Sequence, residues 1–118
     1  MSEEDHINRR VLIERLDGNY ELFRELAELF ISNRKDLVAP LEKAIAERNG
    51  AAIGKAAHTI KGAVANFSAN GAFDAAYELE KIGKNQEIER INDAMDRLLR
   101  ELENMTRALT LLMKKGSF

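Results

Sequence analysis

Apolar residues recur along this chain at steps of three and four rather than two, the period of a helix with one buried face. The clearest run lies near the end, where Ile91, Met95, Leu98, Leu102, Met105, Leu109 and Leu112 alternate in steps of four and three over about three heptads. Upstream, Leu22, Leu26, Leu29 and Phe30 mark a second buried face, which resumes at Leu37, Leu41, Ala44 and Ile45 after the polar Ser32-Asn33-Arg34-Lys35. Ala57, Ile60, Val64 and Phe67 make a third stripe, and Ala72, Ala76 and Leu79 a fourth.

The punctuation between these stripes is that of helices. Asp5 is the expected N-cap of a short first helix carrying Ile7, Val11 and Leu12 and ended by Asp17-Gly18, and Asn19 is expected to cap the next. Pro40 should kink that helix or mark a restart. Asn49-Gly50 closes it and launches a helix to about Phe67, before the turn-prone Ser68-Ala69-Asn70-Gly71. A shorter helix then runs from Ala72 to about Ile82, with Gly83-Lys84-Asn85 expected to break it. Short connections imply antiparallel neighbours. The predicted fold is all-α, an up-down antiparallel four-helix bundle with a short additional N-terminal helix, in a single domain over residues 1–118.

Composition narrows the function more by exclusion. A chain of 118 residues, 45% hydrophobic, buries one core. With 18 basic residues against 20 acidic ones, no basic run beyond two residues and 6% aromatics, nucleic-acid binding is not expected. The absence of cysteine removes disulfides and thiolate metal sites. No apolar run reaches membrane-spanning length, and the acidic start Met1-Ser2-Glu3-Glu4-Asp5 is unlike a secretory signal, so a cytoplasmic protein without membrane contact is expected. No phosphate-binding loop, His-Glu-x-x-His pair or recognisable nucleophile motif is present, so neither a metal nor a cofactor of its own nor autokinase activity is expected.

The candidate chemistry lies in Ala56-Ala57-His58-Thr59-Ile60-Lys61-Gly62. His58 has no acid, cysteine or second histidine near it in sequence, which favours a phosphate carrier over a metal ligand. Helical spacing puts it on an outward stripe with Gly54, Lys55, Lys61, Gly62 and Ala65, beside the buried one. Two glycines one turn away on either side each cost a helix about 0.5–1 kcal/mol relative to alanine, and close approach of another surface would account for them. Lys55 and Lys61 lie three residues before and after His58, and no Asp or Glu occurs between Ala51 and Phe73. A phosphoryl group there would meet an electropositive, uncrowded surface. His6, among acids near the terminus, is given no role.

This motif resembles the histidine phosphotransfer (HPt) domain of two-component phosphorelays, whose signature of an alanine-histidine pair, a spacer, an apolar residue and lysine-glycine reads here as Ala57-His58-Thr59-Ile60-Lys61-Gly62. Leu22 to Phe30 with Leu41-Glu42-Lys43-Ala44-Ile45 upstream, and Leu79-Glu80 downstream, extend the likeness over roughly residues 10 to 112. Two positions depart from the pattern: Ser68 stands where glycine is frequent, and Ala72 where a larger aliphatic is usual.

The resemblance implies that His58 is a nucleophile taking a phosphoryl group from a receiver-domain aspartate and passing it to another receiver. Lys61, with Lys55, would offset charge on the phosphoryl oxygens, while Gly54, Gly62 and Ala65 would form the docking surface. Glu80 is either a solvated surface acid or, as in some members, the group that reaches Nδ1 of His58 and leaves Nε2 free. The implied partners are response-regulator receiver domains and a hybrid sensor kinase, with Mg²⁺ held by the receiver, and the implied state is a monomer. The alternative is a helical interaction or dimerisation module using the last helix. An exposed apolar face on residues 91 to 112 would favour it, and a buried one the carrier. A kinase dimerisation hairpin is disfavoured because Thr59-Ile60-Lys61 lacks the acidic neighbour typical there.

Overall fold

A computed structural model describes residues 6–118, and among them all regular structure is helical. The elements are α1 (Arg9–Arg15), α2 (Tyr20–Ala46), α3 (Gly50–Ala65), α4 (Asn70–Lys84) and α5 (Ile91–Lys115), with a single 3₁₀ turn, Ile88–Arg90, leading into the last. Helices α2 to α5 pack as a ring in which α2 touches α3 and α5, and α4 touches α3 and α5. This is the expected up-down bundle with an additional short helix at its start.

Three helices start with the same device. The side chains of Asn8, Asn19 and Asn49 accept hydrogen bonds from the backbone N–H of Val11, Leu22 and Ala52, one turn into α1, α2 and α3. Each such cap is worth about 1 kcal/mol. Asn19 and Asn49 thus act as the sequence predicts, whereas α1 is capped by Asn8, and Asp5 lies outside the described residues. Ile7 precedes α1 rather than riding on it, yet it is buried.

The ends of α1, α2 and α4 share one rule, and that of α1 falls at Asp17-Gly18 as the sequence predicts. Asp17, Arg48 and Gln86 take left-handed φ of +54°, +52° and +59° just past α1, α2 and α4. The N–H after each, from Gly18, Asn49 and Glu87, bonds back five residues to Ile13, Ala44 and Ile82 at 2.9–3.0 Å. These are Schellman turns with non-glycine residues at the position that usually favours glycine. Helix α4 therefore runs through Gly83 and Lys84, beyond the predicted stop at Ile82. Helix α3 stops at Ala65, two residues short of the predicted Phe67. Ser68, in the α3–α4 turn, is also left-handed at +53°, the conformation for which glycine is suited; its hydroxyl is buried without a partner.

Helix α2 continues through Pro40 without restarting. Pro40 is exposed, so the carbonyl of Asp36, which loses its N–H partner, lies on the side that water can reach. The buried face of α2 is offset from the predicted one. Phe23, Ala27 and Phe30 are buried, Leu26 is half-buried, and Leu22 and Leu29 are 38% and 58% exposed. Phe23 wins because it joins Tyr20 and Phe118 in an aromatic cluster with ring centroids 5.4–5.7 Å apart. Further along, Leu41 and Ala44 are buried while Leu37 and Ile45 are half-buried. The seam of α5 is as predicted: Ile91, Leu98, Leu102, Met105, Leu109 and Leu112 are buried and Met95 is half-buried.

Candidate functional site

The α3–α4 contact is the closest in the bundle by construction. Gly50, Gly54 and Ala57 of α3 face Ala76 and Gly83 of α4, and all five are buried. A Cβ on Gly83 would fall 2.6 Å from the Gly50 carbonyl oxygen and 2.6 Å from the Gly54 nitrogen. Small residues on both sides let the helix axes approach, which brings a short acidic side chain of one helix within reach of the other.

That acid is Glu80. Its residue is only 3% exposed, and its carboxylate lies between two side chains of α3. Oε2 is 2.8 Å from Nδ1 of His58, and Oε1 accepts a hydrogen bond from Nζ of Lys61 at 2.7 Å. Lys84, one turn further along α4, brings Nζ to 3.6 Å from Oε2. The Lys61 hydrogen bond is the foremost reason the Glu80 carboxyl is held below its ordinary value of 4.5; burial opposes it, while the His58 hydrogen bond and the charges of Lys61 and Lys84 assist. An ionised carboxylate only accepts, so Nδ1 of His58 is the donor. In the neutral imidazole Nε2 then carries a lone pair. The His58 side chain is 66% exposed, against 5% for that of Glu80. The site thus combines an anchored nitrogen with an open one.

The other residues of the outward stripe are placed less uniformly. Lys61 is not a free cation beside the imidazole: its side chain is only 19% exposed, and its ammonium is bound to Glu80 and lies 4.7 Å from the ring centroid of Tyr77. Lys55 is exposed one turn before His58. Gly54 does not belong to the outward surface. It is buried against α4, where a Cβ would meet the Glu80 carbonyl oxygen at 3.6 Å and Cγ of Lys84 at 3.7 Å. The physical reason is that α4 covers the Gly54 edge of the stripe and leaves the Gly62 edge open. Gly62 is exposed, with no atom within 4 Å of where its Cβ would be. Ala65 is half-buried at the end of α3, and its carbonyl accepts a 2.6 Å hydrogen bond from Arg15 of α1. A cation there also favours the negative end of the helix dipole.

Sequence reasoning missed Gly83, Lys84 and Tyr77. Tyr77, Glu80, Lys81 and Lys84 share one stripe of α4 at spacings of three and four, a pattern that could have singled them out together. Among the described residues no group of three or more His, Asp or Glu side chains is placed to hold a metal ion, and no helix is long and apolar enough to cross a membrane.

No match was found among curated proteins or among solved structures. The family model of the Hpt domain matches residues 25–109, a stretch that contains most of α2, all of α3 and α4 and most of α5. The match holds His58, Glu80 and Lys61 within it and covers more than half of the chain, so the chain belongs to the Hpt domain family.

Proposed function

We propose that the protein is a phosphorelay carrier in which His58 takes a phosphoryl group from the aspartate of one receiver domain and yields it to that of another. The observation that carries this reading is the imidazole itself, exposed on a rigid helix with Nδ1 tied to a buried carboxylate. Membership of the Hpt domain family supports a phosphotransfer role.

The chemistry follows from the charges. The Nε2 lone pair of His58 attacks phosphorus of an aspartyl phosphate; an N–P bond forms, the P–O bond to the aspartate breaks, and the aspartate leaves as carboxylate. The proton on Nδ1 stays in place, so the ring gains positive charge as the N–P bond forms. Glu80, ionised and 2.8 Å away, offsets that charge. The carboxylate needs no reorientation, because Lys61 already holds its other oxygen. Reversal of the same steps delivers the group to the next receiver. Lys61 acts on the phosphoryl group through Glu80, while Lys55, exposed on the outer face, offers charge to the phosphoryl oxygens directly. The Mg²⁺ that such transfers use belongs to the receiver's acidic pocket.

Docking would use the open edge around Gly62 and Ala65, continued toward α2 by a shallow apolar groove lined by Leu26, Leu29, Phe30, Ala63 and Phe67. The relay reading makes a hybrid sensor kinase the source of the phosphoryl group and the cytoplasm its setting, with the carrier acting as a monomer. Burial of the α5 seam favours the carrier over an interaction module built on the last helix, where Leu99 and Leu111 are the large apolar side chains left exposed.

Incubation with a phosphorylated receiver should leave an acid-labile, base-stable label on the wild-type chain and none on His58→Gln. The variant should stay folded, with a loss of no more than about 1–3 kcal/mol, since it replaces the His58 partner of the buried Glu80 carboxylate. Undiminished labelling of His58→Gln would overturn the assignment.

A further inference from the structure

Tyr77 is a large aromatic left 45% exposed on α4, one turn before Glu80. Its ring is not idle. The ammonium of Lys61 lies 4.7 Å from its centroid and that of Lys81 lies 4.8 Å from it, both inside the range where the ring quadrupole attracts a cation. Phe73, one turn earlier on the same helix, continues the ledge at 5.8 Å from Lys61, with the two ring centroids 6.5 Å apart. Each ammonium also meets an acid: Lys61 meets Glu80 at 2.7 Å, and Lys81 meets Glu78 at 3.5 Å.

A lysine side chain has many rotamers, most of which would carry this ammonium into water and away from Glu80. The aromatic ledge removes those alternatives on the α4 side. With Lys61 seated, Oε1 of Glu80 is occupied and Oε2 faces His58; without it, Oε1 loses its partner, the looser 3.6 Å contact of Lys84 with Oε2 is what still holds the carboxylate, and Nδ1 loses its fixed acceptor. We propose that Tyr77 is a positioning residue, which seats Lys61 on Glu80 and thereby fixes the imidazole of His58 in the form with Nε2 unprotonated. The inference rests on the phosphotransfer reading for its consequence, but its structural part can be measured without any transfer.

The contact is made by the ring face, so Tyr77→Phe should retain it and Tyr77→Leu should lose it while keeping an apolar side chain of moderate size. Three measurements on the full chain decide the matter. In the wild type, the ε-methylene protons of Lys61 should show an upfield ring-current shift; their absence would overturn the proposal without recourse to any variant. The ¹⁵N shifts of the unphosphorylated His58 ring report which nitrogen is protonated. Tyr77→Phe should match the wild type, whereas Tyr77→Leu should move population from the Nδ1–H to the Nε2–H form. Transfer from a phosphorylated receiver should fall about threefold to fivefold in Tyr77→Leu, the size expected of one exposed cation–π contact. In a Lys61→Met background the same change should have no further effect, because the path through Lys61 is already cut.

A wild-type tautomer balance in Tyr77→Leu, equal losses in the Phe and Leu variants, or an additive effect in the Lys61→Met background would each overturn the proposal. A wild-type chain that takes no phosphoryl group would instead bring down the phosphotransfer reading, leaving the ring-current and tautomer measurements to decide Tyr77's place.

Discussion

Where α2 meets α5 the bundle is held by bulk, and where α3 meets α4 it is held by the lack of it. Tyr20, Phe23 and Phe118 stack around one end of the α2–α5 side, with the Tyr20 hydroxyl donating to the carbonyls of Leu112 and Met113 at 3.1 and 2.8 Å. Arg34 ties the same two helices again through Thr106 and Glu103. Across the ring, Gly50 and Gly54 of α3 meet Gly83 of α4 backbone to backbone, with Ala57 and Ala76 buried on the same two helices. Large side chains bury more apolar area per residue, roughly 25 cal/mol per Å², so truncating one of them on the α2–α5 side is the costlier single change. Small ones contribute less but set the helices close enough for a carboxylate rooted on α4 to reach an imidazole on α3. Aromatic anchoring and placement of the reactive group therefore lie on different faces, and they should respond to different mutations.

Phe23→Ala is the harshest test of the stabilising face. Phe23 is fully buried, and truncation should cost about 3–5 kcal/mol, read from denaturant unfolding. Transfer per folded molecule should stay near that of the wild type, because its aromatic partners, Tyr20 and Phe118, belong to the other face. A specific loss of transfer in the folded fraction would show that the two faces are not separable.

Gly83→Ala should do the reverse. The added carbon would press on the backbone of Gly50 and Gly54, which cannot rotate away as a side chain could, and overpacking of that kind costs about 1–3 kcal/mol. Moving the helices apart should also lengthen the Glu80–His58 contact and slow transfer out of proportion to the lost stability. Gly54→Ala provides the contrast. Its Cβ would sit at ordinary contact distance, 3.6 Å or more from its neighbours, so the helix should gain about 0.5–1 kcal/mol and transfer should persist. If both glycines behave alike in thermal melts, close approach is not what Gly83 provides.

These two glycines also mark how far the sequence could be read. Periodicity placed the helices and the α5 seam, and Asn19 and Asn49 announced two helix starts, because both signals are local. Gly83 looked like a helix breaker because its partner backbone at Gly50 and Gly54 lies some thirty residues away in the chain. Helix α1 ends at Asp17-Gly18 as the sequence predicts, but the ends of α2 and α4 fall at Arg48 and Gln86, residues whose left-handed backbone is stabilised by the Schellman hydrogen bonds rather than by their own preference. The site shows the same limit. His58 is isolated from acids in sequence, and its contact with Glu80, 22 residues further on, is offered there only through the family resemblance and only as one of two alternatives. The leucines at 22 and 29 were assigned to the core for their hydrophobicity, but the aromatic partners that draw Phe23 inward include Phe118 at the other end of the chain.

Acid should separate the two faces as well. Glu80 is held below its ordinary 4.5 in the folded chain, chiefly by Lys61, so its contribution to stability is fully present above that value and is lost as pH falls through the lower folded value. Glu80→Gln has no charge to lose. The stability difference between the wild type and this variant should be constant at neutral pH and shrink below pH 4.5, as measured by urea unfolding at successive pH values. A difference that grows as the solution is acidified would reverse the sign assigned to Glu80.

Gly62 carries the smallest expected effect on the fold and the sharpest test of the open edge of α3. It lies one turn after His58 and is exposed, and a Cβ there would meet nothing within 4 Å, so no packing partner in the folded chain accounts for a glycine inside a helix. Gly62→Ala should therefore raise stability by about 0.5–1 kcal/mol. If the position is kept bare to admit a receiver, Gly62→Gln should hold or raise the melting temperature while sharply slowing transfer from a phosphorylated receiver, because the longer side chain projects into the approach to His58. Small phosphodonors, which need no such approach, should be affected much less. Receiver transfer at the wild-type rate in Gly62→Gln would mean that the partner docks elsewhere, with the α2 flank of α3 around Leu29 as the next surface to probe. A fall in both donors together would instead point to a disturbed imidazole, which the ¹⁵N shifts of His58 would reveal directly.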